Sequence, residues 1–453
     1  HYYFVDFPLY EKILYDCEDS INKFKSNKWA QFHYQRWISI VYPNIIKEKL
    51  DYKYNKNFKI DNKNNFKNLI KRLFNIFYYI KNIFTTNSKK KIFFINHYFT
   101  KERFSKININ NTYSEIRNYF HLKISRKKYK SYDKKLRNQI LLTFTHTERF
   151  EEIFNKMLID DLPMIFLEHF DNFLSLSLKM YNFKESKIIF TSQSHFFDSM
   201  FKFSVAYNRE KFNKKLYLMQ HGGSYFYNNL DTHLFWEQRI ADIFFSWGKA
   251  ENNKKIKFLG INRIKQVKNK SDYVLIVLDE IIRNYSSYVA PNPEYLFDYL
   301  EEISDLIFSL QKKYKIKIRL PRNDIFYKKY LIKKNPNITF DYNKSSFDSY
   351  KDSALVISCA FATSALETIY NNIPTIIFIP EYMNNYYYEK INKLFKKSIF
   401  FEKKNKLLKF LLDDNFEINN WWFSDSLQSI IHEFNNNYCI DNVSLYEELK
   451  KYI

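Results

Sequence analysis

Glycine is almost absent from this sequence, which has four glycines in 453 residues. All four, Gly222, Gly223, Gly248 and Gly260, fall within one short stretch. Glycine is required where φ must be positive or where another group approaches the main chain closely. The four glycines lack the spacing of a Walker P-loop or a Gly-x-Gly-x-x-Gly dinucleotide turn, so both motifs are excluded. The stretch 222–260 therefore contains backbone that either has positive φ or is closely approached by another group.

Cysteine and long apolar runs are also scarce. Cys17, Cys359 and Cys439 are far apart and odd in number, which excludes a disulfide framework and a Cys-x-x-Cys metal site. The sequence has no His-x-x-x-His pair and no Asp-x-Asp, so we expect neither zinc nor a metal-bound nucleotide of the kind that uses Asp-x-Asp. Because no apolar run reaches roughly 18 residues and no signal-peptide pattern begins the sequence, we expect a cytoplasmic protein.

Acidic residues are outnumbered, since 72 Lys and Arg stand against 49 Asp and Glu and give a formal charge of +23. Such an excess favours an anionic partner, which is a nucleotide, a membrane surface or nucleic acid. The chain is also crowded with Lys, Asn, Ile, Phe and Tyr, a bias that AT-rich coding imposes, so part of the charge is compositional. No nucleic-acid-binding signature has the required spacing, and we expect no nucleic-acid partner.

From residue 91 onward, short apolar runs alternate with amphipathic stretches. A strand, a helix and a strand in that order imply a right-handed crossover and a parallel sheet. We therefore predict an α/β fold with two doubly wound, Rossmann-like domains, bounded at 1–262 and 263–410, with a cleft between them. We expect a helical segment at the N-terminus of the first domain and C-terminal helices at 411–453 that pack back across the domains. The predicted strands are 91–97, 187–192, 215–220, 273–278, 315–320, 337–340, 354–358 and 374–379, and the predicted helices include 196–212, 294–314 and one from 363.

The predicted strand at 215–220 leads into Gln220, His221, Gly222 and Gly223, at the carboxyl edge of a sheet where α/β folds bind ligands. Bare backbone there admits a ligand, and histidine can donate, accept or shuttle a proton near neutral pH. The alternative is a plain turn in which the histidine is only hydrogen-bonded.

A second centre follows the strand that ends at Ser358, where a helix begins with the hydroxyls of Thr363 and Ser364. A helix start offers unpaired N–H groups and a partial positive charge, which suit a phosphate. Glu367 lies three residues after Ser364, so an ordinary capping box explains the same pattern. Both interpretations are open at this point.

Four charged residues are further candidates for binding or catalytic roles. Arg319 closes a strand of the second domain, where its guanidinium suits a phosphate or carboxylate, and we expect it to meet the same anion as the helix start. The alternative for Arg319 is a surface ion pair. Glu168, Asp198 and Glu237 are candidates for general base or nucleophile beside His221. Each carboxylate taken singly is more often a helix cap or a salt-bridge partner.

The order of these motifs resembles a known family. Two doubly wound halves with these motifs look like a GT-B glycosyltransferase, and more narrowly they resemble transferases from bacterial surface-polysaccharide gene clusters. This chain has Tyr225-Phe226 where that family usually has Tyr-Gly, and Trp236-Glu237 where it has His-Glu. The matching segments are Arg36-Trp37, Leu167-Glu168, Gln220 to Tyr225, Glu237 to Asp242, Ser246 to Gly248, Thr363 to Glu367 and Asn372 to Thr375.

That family is related to transferases that use CMP-activated ketosugar acids, namely Kdo or nonulosonates such as pseudaminic acid. The resemblance implies that the second domain binds CMP, with Thr363 and Ser364 at its phosphate and Glu367 near the ribose. It implies that Glu168 and His221 face the sugar and that the first domain holds an acceptor glycan. We place these further residues at the donor site: Gln220, Gly222, Gly223, Arg319 and Ser358.

We therefore expect a glycosyltransferase that moves a ketosugar acid to a glycan or lipid-linked glycan of lipopolysaccharide or capsule, without a metal or other cofactor. The helix start and Arg319 would stabilise the departing phosphate, while Glu168 acts as base or Asp198 attacks the anomeric carbon. One rival is a CDP-glycerol- or UDP-sugar-dependent transferase of the same fold. Another is a noncatalytic polyanion- or glycan-binding protein. A basic helix predicted at 69–84 either contacts an anionic inner membrane or packs on its own domain.

Overall fold

The computed structural model describes residues 92–99, 104, 113–116, 132–145, 148–162, 164–183, 186–223, 225–226, 232–248, 253–261, 272–281, 295–321, 325–343, 345–383, 389–395 and 398–439. The segment with Arg36 and Trp37 and the helix predicted at 69–84 lie outside these residues. Among the described residues, one compact unit holds most of 114–189 and 194–214, and a second holds 94–113, 190–193 and the part from 215 onward. The domain boundaries at 262 and 410 stay predictions.

The first sheet has six strands in the described residues, and their order is β2-β1-β3-β4-β5-β6. Strands β4, β5 and β6 pair in parallel, with Leu218 opposite Phe244. The apolar runs of β1 and β3 are buried along their whole length, as is typical of strands covered on both faces. The strands are β1 Ile92–Ile95, β2 Tyr113–Ile116, β3 Ile188–Thr191, β4 Lys215–Met219, β5 Ile243–Ser246 and β6 Ile256–Phe258.

Within the described part of the chain, the second sheet also has six strands, in the order β12-β11-β10-β7-β8-β9, and every neighbouring pair is parallel. Counted from β9, this is the 3-2-1-4-5-6 order of a Rossmann fold. The order reverses between β7 and β10, and sheets of this kind bind ligands beyond the carboxyl ends at that point. The strands are β7 Tyr273–Val277, β8 Lys315–Arg319, β9 Thr339–Phe340, β10 Leu355–Ser358, β11 Thr375–Phe378 and β12 Phe400–Phe401.

Helices connect the strands of both sheets in the described residues, and none of them is long and apolar enough to cross a membrane. They are α1 Lys134–Leu141, α2 Arg149–Asp161, α3 Phe170–Met180, α4 Ser194–Phe197, α5 Ser199–Phe212, α6 Thr232–Ile240, α7 Leu296–Leu310, α8 Ile325–Lys334, α9 Ser346–Lys351, α10 Thr363–Tyr370, α11 Glu389–Phe395, α12 Lys404–Leu411, α13 Ile418–Trp422 and α14 Asp425–Tyr438, with a 3-10 turn at Met164–Phe166.

The predicted pair of doubly wound, Rossmann-like sheets is confirmed. Strands β4 and β7 lie where the apolar runs predict them, and helices α12 to α14 provide the predicted helical C-terminal addition. The helix predicted at 196–212 is divided into α4 and α5, because Asp198 caps α5 instead of continuing α4. Helix α7 is shorter at both ends than the 294–314 predicted for it.

Candidate functional site

Gln220 follows β4, and both its backbone and its side chain form hydrogen bonds. Its backbone N–H donates to Phe245 O, its side-chain Oε1 accepts from Trp247 N at 2.9 Å, and its Nε2 donates to the Gly222 carbonyl at 2.8 Å. The buried amide therefore fixes the shape of the turn and ties it to the end of β5. This position suits a scaffold residue for the glycine turn, and direct contact of Gln220 with a donor stays a prediction.

The two glycines of this turn lie directly against the start of α10. Gly223 N donates to Thr363 Oγ1 at 2.9 Å. A Cβ on Gly222 would lie 2.8 Å from Thr363 Oγ1, and one on Gly223 would lie 2.6 Å from the Ala362 carbonyl carbon and 2.7 Å from Thr363 N. The bare backbone is thus needed for a close approach, as predicted, but the approaching group is the chain itself.

Helix α10 begins without a side-chain cap. Its N-cap residue is Ala362, so Ser364 lies inside the helix and Ser364 with Glu367 does not form the capping box that explained the pattern. The Ser364 hydroxyl instead lies 2.9 Å from the Ser358 hydroxyl, at the end of β10. Glu367 is buried within α10. An uncapped helix start beside the switch point of the sheet keeps the anion-binding character that the sequence indicates.

His221 is partly exposed and directly precedes Gly222, which packs against Thr363 at the start of α10. Its ring Nδ1 is 2.7 Å from the Tyr225 hydroxyl, and the two rings meet edge to face. Tyr225 is buried and stacks on Phe244 of β5, which holds the histidine ring in place. The next residue, Phe226, has a φ of 69°. This is the position at which the resembling family has glycine, and glycine adopts that conformation without strain.

Arg319 is held by groups near its own strand, and its convergence with the start of α10 on one anion stays a prediction. Strand β7 separates β8 from β10, so the two strand ends are two strand spacings apart, about 10 Å. The guanidinium forms an ion pair with Asp341 after β9 and donates to Ser349 Oγ at 2.9 Å. Pairing with a carboxylate, the alternative for this residue, is what the structure shows. A donor contact of Arg319 has no other support.

Glu168 lies in the 3-10 turn region before α3 and is paired with the fully buried Arg137 of α1. Arg137 Nε and Nη2 donate to the two carboxylate oxygens at 2.8 and 2.9 Å, and Asp133 N donates at 3.0 Å. Burial by itself raises the pKa of Glu168, but these hydrogen bonds and the arginine charge outweigh burial and lower the pKa. A carboxylate held in this way is a structural ion pair first, and its role as general base stays a prediction.

The other two carboxylates are also buried. Asp198 is the N-cap of α5: its Oδ1 accepts from Phe201 N at 3.0 Å and its Oδ2 from the Tyr181 hydroxyl. The structure therefore shows the helix cap that was the alternative to a nucleophile. Glu237 is fully buried on α6. Catalytic roles for both residues stay predictions.

Asp279 was missed by the sequence analysis. It follows β7 at the carboxyl edge of the second sheet, next to the point where the strand order reverses. Burial raises its pKa to about 6, against a hydrogen bond from Glu280 N that lowers it. Acidic residues directly after the apolar run at 273–278 were the available signal, but a lone Asp-Glu pair carries no motif.

The structure thus brings together the turn 220–223 and the start of α10, and it places Arg319 elsewhere in the second sheet. Two Rossmann-like parallel sheets define the fold class, an α/β protein of the GT-B type. The chain belongs to the LIC12162 family of transferases, whose family model matches residues 3–453.

Solved structures with a similar chain path are distant. The wall teichoic acid polymerase TagF is 11% identical with a TM-score of 0.40, covering 84% of this chain and 97% of that chain. UGT71G1 of Medicago truncatula, solved with UDP-glucose, is 10% identical with a TM-score of 0.41 and coverages of 80% and 97%. MurG of Acinetobacter baumannii is 10% identical with a TM-score of 0.39 and coverages of 80% and 100%. These similarities carry no inference about activity. A search of curated proteins found no match to this chain.

Proposed function

We propose that this chain is a glycosyltransferase that moves a ketosugar acid, a nonulosonate such as pseudaminic acid or Kdo, from a CMP-activated donor to a glycan or lipid-linked glycan. The observation that carries the proposal is the hydrogen bond from Gly223 N to Thr363 Oγ1, which joins the turn after β4 to the uncapped start of α10. Membership of a transferase family supports group transfer. The choice of CMP and of a ketosugar acid rests on the motif resemblance.

The start of α10 is where we place the donor phosphate. The first N–H groups of a helix are free of intrahelical partners and carry about half a positive charge between them. A departing CMP phosphate gains negative charge as its bond to the sugar breaks, so these N–H groups stabilise it most in the transition state. The hydroxyls of Thr363 and Ser364 lie in the same first turn.

The acceptor hydroxyl must lose a proton while its oxygen bonds to the anomeric carbon. His221 is the group that we assign to take this proton, because its ring is partly exposed, is held by Tyr225 and lies beside the turn that contacts α10. The new glycosidic bond forms, the bond from the anomeric carbon to the phosphate oxygen breaks, and CMP leaves with the electron pair. General bases of this kind contribute roughly 10²- to 10⁴-fold in rate.

The test of the donor site uses CMP, CDP, UDP, UMP, GDP and ADP in thermal-shift and calorimetric titrations of the whole chain. In the Ser364→Asp variant a carboxylate occupies the helix start, where it favours the empty protein through the helix dipole and competes with phosphate. We expect CMP affinity to fall at least tenfold in this variant while the melting temperature of the free protein does not fall. The uncharged Ser364→Asn variant, which is isosteric with Ser364→Asp, is the matched control and should lose clearly less CMP affinity than Ser364→Asp does.

The outcomes separate the proposals. Binding of CMP that Ser364→Asp loses and Ser364→Asn keeps supports the donor site. A response to CDP or UDP alone keeps the transferase and replaces the donor class by CDP-glycerol or a UDP-sugar. Binding that persists unchanged in Ser364→Asp contradicts the placement of the phosphate, and no nucleotide response at all contradicts the proposed function. Unchanged CMP affinity with EDTA is expected, because the proposal uses no metal.

A further inference from the structure

Strands β7 and β10 are neighbours at the switch point of the second sheet, and their register places Val277 opposite Ser358. The loop that begins at Leu278 and the loop that leads from Cys359 into α10 therefore leave the same edge side by side, about 5 Å apart. The second loop ends at the helix start to which the donor phosphate is assigned. Asp279 is in the first loop, two residues beyond Val277.

Two tyrosine hydroxyls accept hydrogen bonds from the backbone of the loop that contains Asp279. Asp279 N donates to the hydroxyl of Tyr299 on α7, and Ile281 N donates to the hydroxyl of Tyr327 on α8, both at 2.9 Å. Both rings are fully buried. Cys359, which begins the loop after β10, donates its backbone N–H to the Val277 carbonyl at the end of β7, at 2.9 Å. The two loops are thus joined where they leave the sheet, and Asp279 lies two residues beyond Val277.

One oxygen of the Asp279 carboxyl group accepts from Glu280 N at 2.8 Å. Among the described residues, no lysine or arginine pairs with this carboxyl group. A carboxylate beside a phosphate would repel it, whereas a carboxylic acid would donate a hydrogen bond to it.

We propose that Asp279 contacts the donor as a carboxylic acid, donating its proton to an anionic oxygen of the ligand at the start of α10, so that one proton is taken up on binding. The proposal rests on the donor site described above and adds a residue and a pH dependence to it. In the free protein burial raises the pKa of Asp279 to about 6, so the acid form is accessible near neutral pH. A bound anion raises that pKa further.

The groups that face the Asp279 loop differ in whether they can titrate near neutral pH. Glu280 lies in the same loop and its charge adds to the raised pKa of Asp279. Burial raises the pKa of the Cys359 thiol to about 12 and that of Tyr299 well above its usual value, so neither ionises near neutral pH. The charge of Glu302 on α7 contributes to the raised pKa of Cys359. Burial raises the pKa of Glu302 itself, and a hydrogen bond from Tyr382 partly offsets that rise. Tyr327 is the group that faces the loop from α8.

The probe must not titrate itself. A phosphate monoester such as CMP has a pKa near 6, so cytidine 5′-methylphosphate, a diester like the donor, is used instead. Its affinity for the whole chain is measured by calorimetry from pH 5.5 to 8, in two buffers of different ionisation enthalpy. For wild type we expect the affinity to weaken by up to about tenfold per pH unit above pH 6, with close to one proton taken up per ligand at pH 7.

The Asp279→Asn variant carries a permanent hydrogen-bond donor of the same shape. We expect it to bind the diester at every pH as tightly as wild type does at pH 5.5, with no proton uptake, whereas Asp279→Ala should bind weakly at every pH. Glu280→Gln is the matched control from the same loop and should keep the pH dependence, moved slightly to lower pH. Thermal melts check that each variant folds.

Two outcomes overturn the inference, and they are distinguishable from a failure of the donor site. If wild type and Asp279→Asn bind the diester with the same pH profile, Asp279 does not carry the proton and the donor site stands. If wild type binds neither the diester nor CMP at any pH, the donor site and the inference fall together.

Discussion

The pair of Arg137 and Glu168 is a buried ion pair, and removing one partner leaves a charge without compensation. Glu168→Gln removes the carboxylate that neutralises Arg137, whose guanidinium also donates to the Ile159 and Asp160 carbonyls. Breaking such a pair costs about 3–5 kcal/mol in the free energy of unfolding. Chemical denaturation measures this. The exposed pair of Lys403 and Glu381 provides the control, since Glu381→Gln should cost less than about 1 kcal/mol.

A double replacement separates structure from catalysis at the same residue. Replacing both partners of a buried pair by apolar residues of similar volume often restores stability, so Glu168→Leu with Arg137→Met should be more stable than either single variant. If Glu168 is only structural, this folded double variant keeps donor turnover. A folded variant without turnover would establish Glu168 as the base predicted from the sequence.

Asp279 gives the protein a pH dependence of stability with a definite sign. Its pKa is about 6 in the fold and near 4 in the unfolded chain, so the folded state binds more protons between these values. The group therefore destabilises the fold progressively as pH rises from 4 to 6. We expect Asp279→Asn to be more stable than wild type at pH 7 and the difference to vanish below pH 4. Denaturation at four pH values measures it, and a constant difference would contradict the assignment.

Phe226 has the backbone conformation of a glycine. A non-glycine residue with positive φ costs about 1–2 kcal/mol. Alanine is normally more stabilising than glycine, but at position 226 we expect the reverse, with Phe226→Gly more stable than Phe226→Ala. Both variants lose the phenyl ring, so the difference between their stabilities reports the backbone conformation alone. If Phe226→Ala were the more stable variant, the turn would have relaxed to another conformation.

At the scale of elements, the C-terminal helices are tied to the end of α10 by one side chain. Asn372 Oδ1 accepts from Trp422 Nε1 of α13 at 2.8 Å and from Gln428 Nε2 of α14 at 3.1 Å, while its backbone has a φ of 54°. Asn372→Gly keeps the backbone conformation and deletes both hydrogen bonds to the side chain, while Trp422 Nε1 retains its 3.3 Å contact with the carbonyl of residue 372. We expect a loss of about 1–2 kcal/mol.

The end of α5 offers a matched control for this variant. Asn213 has a φ of 50° and no hydrogen bond from its side chain among the described residues. Asn213→Gly should therefore be neutral or stabilising by a few tenths of a kcal/mol. Equal losses in the two variants would mean that the backbone, and not the hydrogen bonds to Trp422 and Gln428, determines the effect. Thermal unfolding compares them directly.

Elements were more predictable than partners. The strands at 215–219 and 273–277 follow from buried apolar runs, which are local in sequence. The interruption at Asp198 was not predicted, because a cap inside an amphipathic run looks like any other polar residue. The ion-pair partner of Arg319 was not predicted, since Asp341 follows β9, an edge strand whose place beside β8 the sequence does not reveal. Gly223 was recognised as special, but its contact lies 140 residues further along the chain.

At the scale of the whole molecule, Gly248 links an early loop to the last described helix. A Cβ on Gly248 would lie 2.1 Å from the Asn437 carbonyl oxygen and 2.5 Å from Tyr438 Cα. Because the clash is with backbone, α14 must move to relieve it. We expect Gly248→Ala to lower the melting temperature and to expose the end of α14 to hydrogen exchange. In Gly260→Ala, where φ is 80°, strain also lowers stability, but protection at 435–438 should be retained.

The same contact sets an order of events during protein synthesis. Domains fold as they leave the ribosome, N-terminal segments first, at about 5–20 residues per second. The loop around Gly248, just after β5, packs against residues that are translated only after both sheets, so this end of the first sheet stays uncovered on the nascent chain. Chains stalled or cleaved before 437 would present this uncovered end to chaperones and proteases. Such fragments should therefore be cleared by the cell instead of accumulating as partly active enzymes.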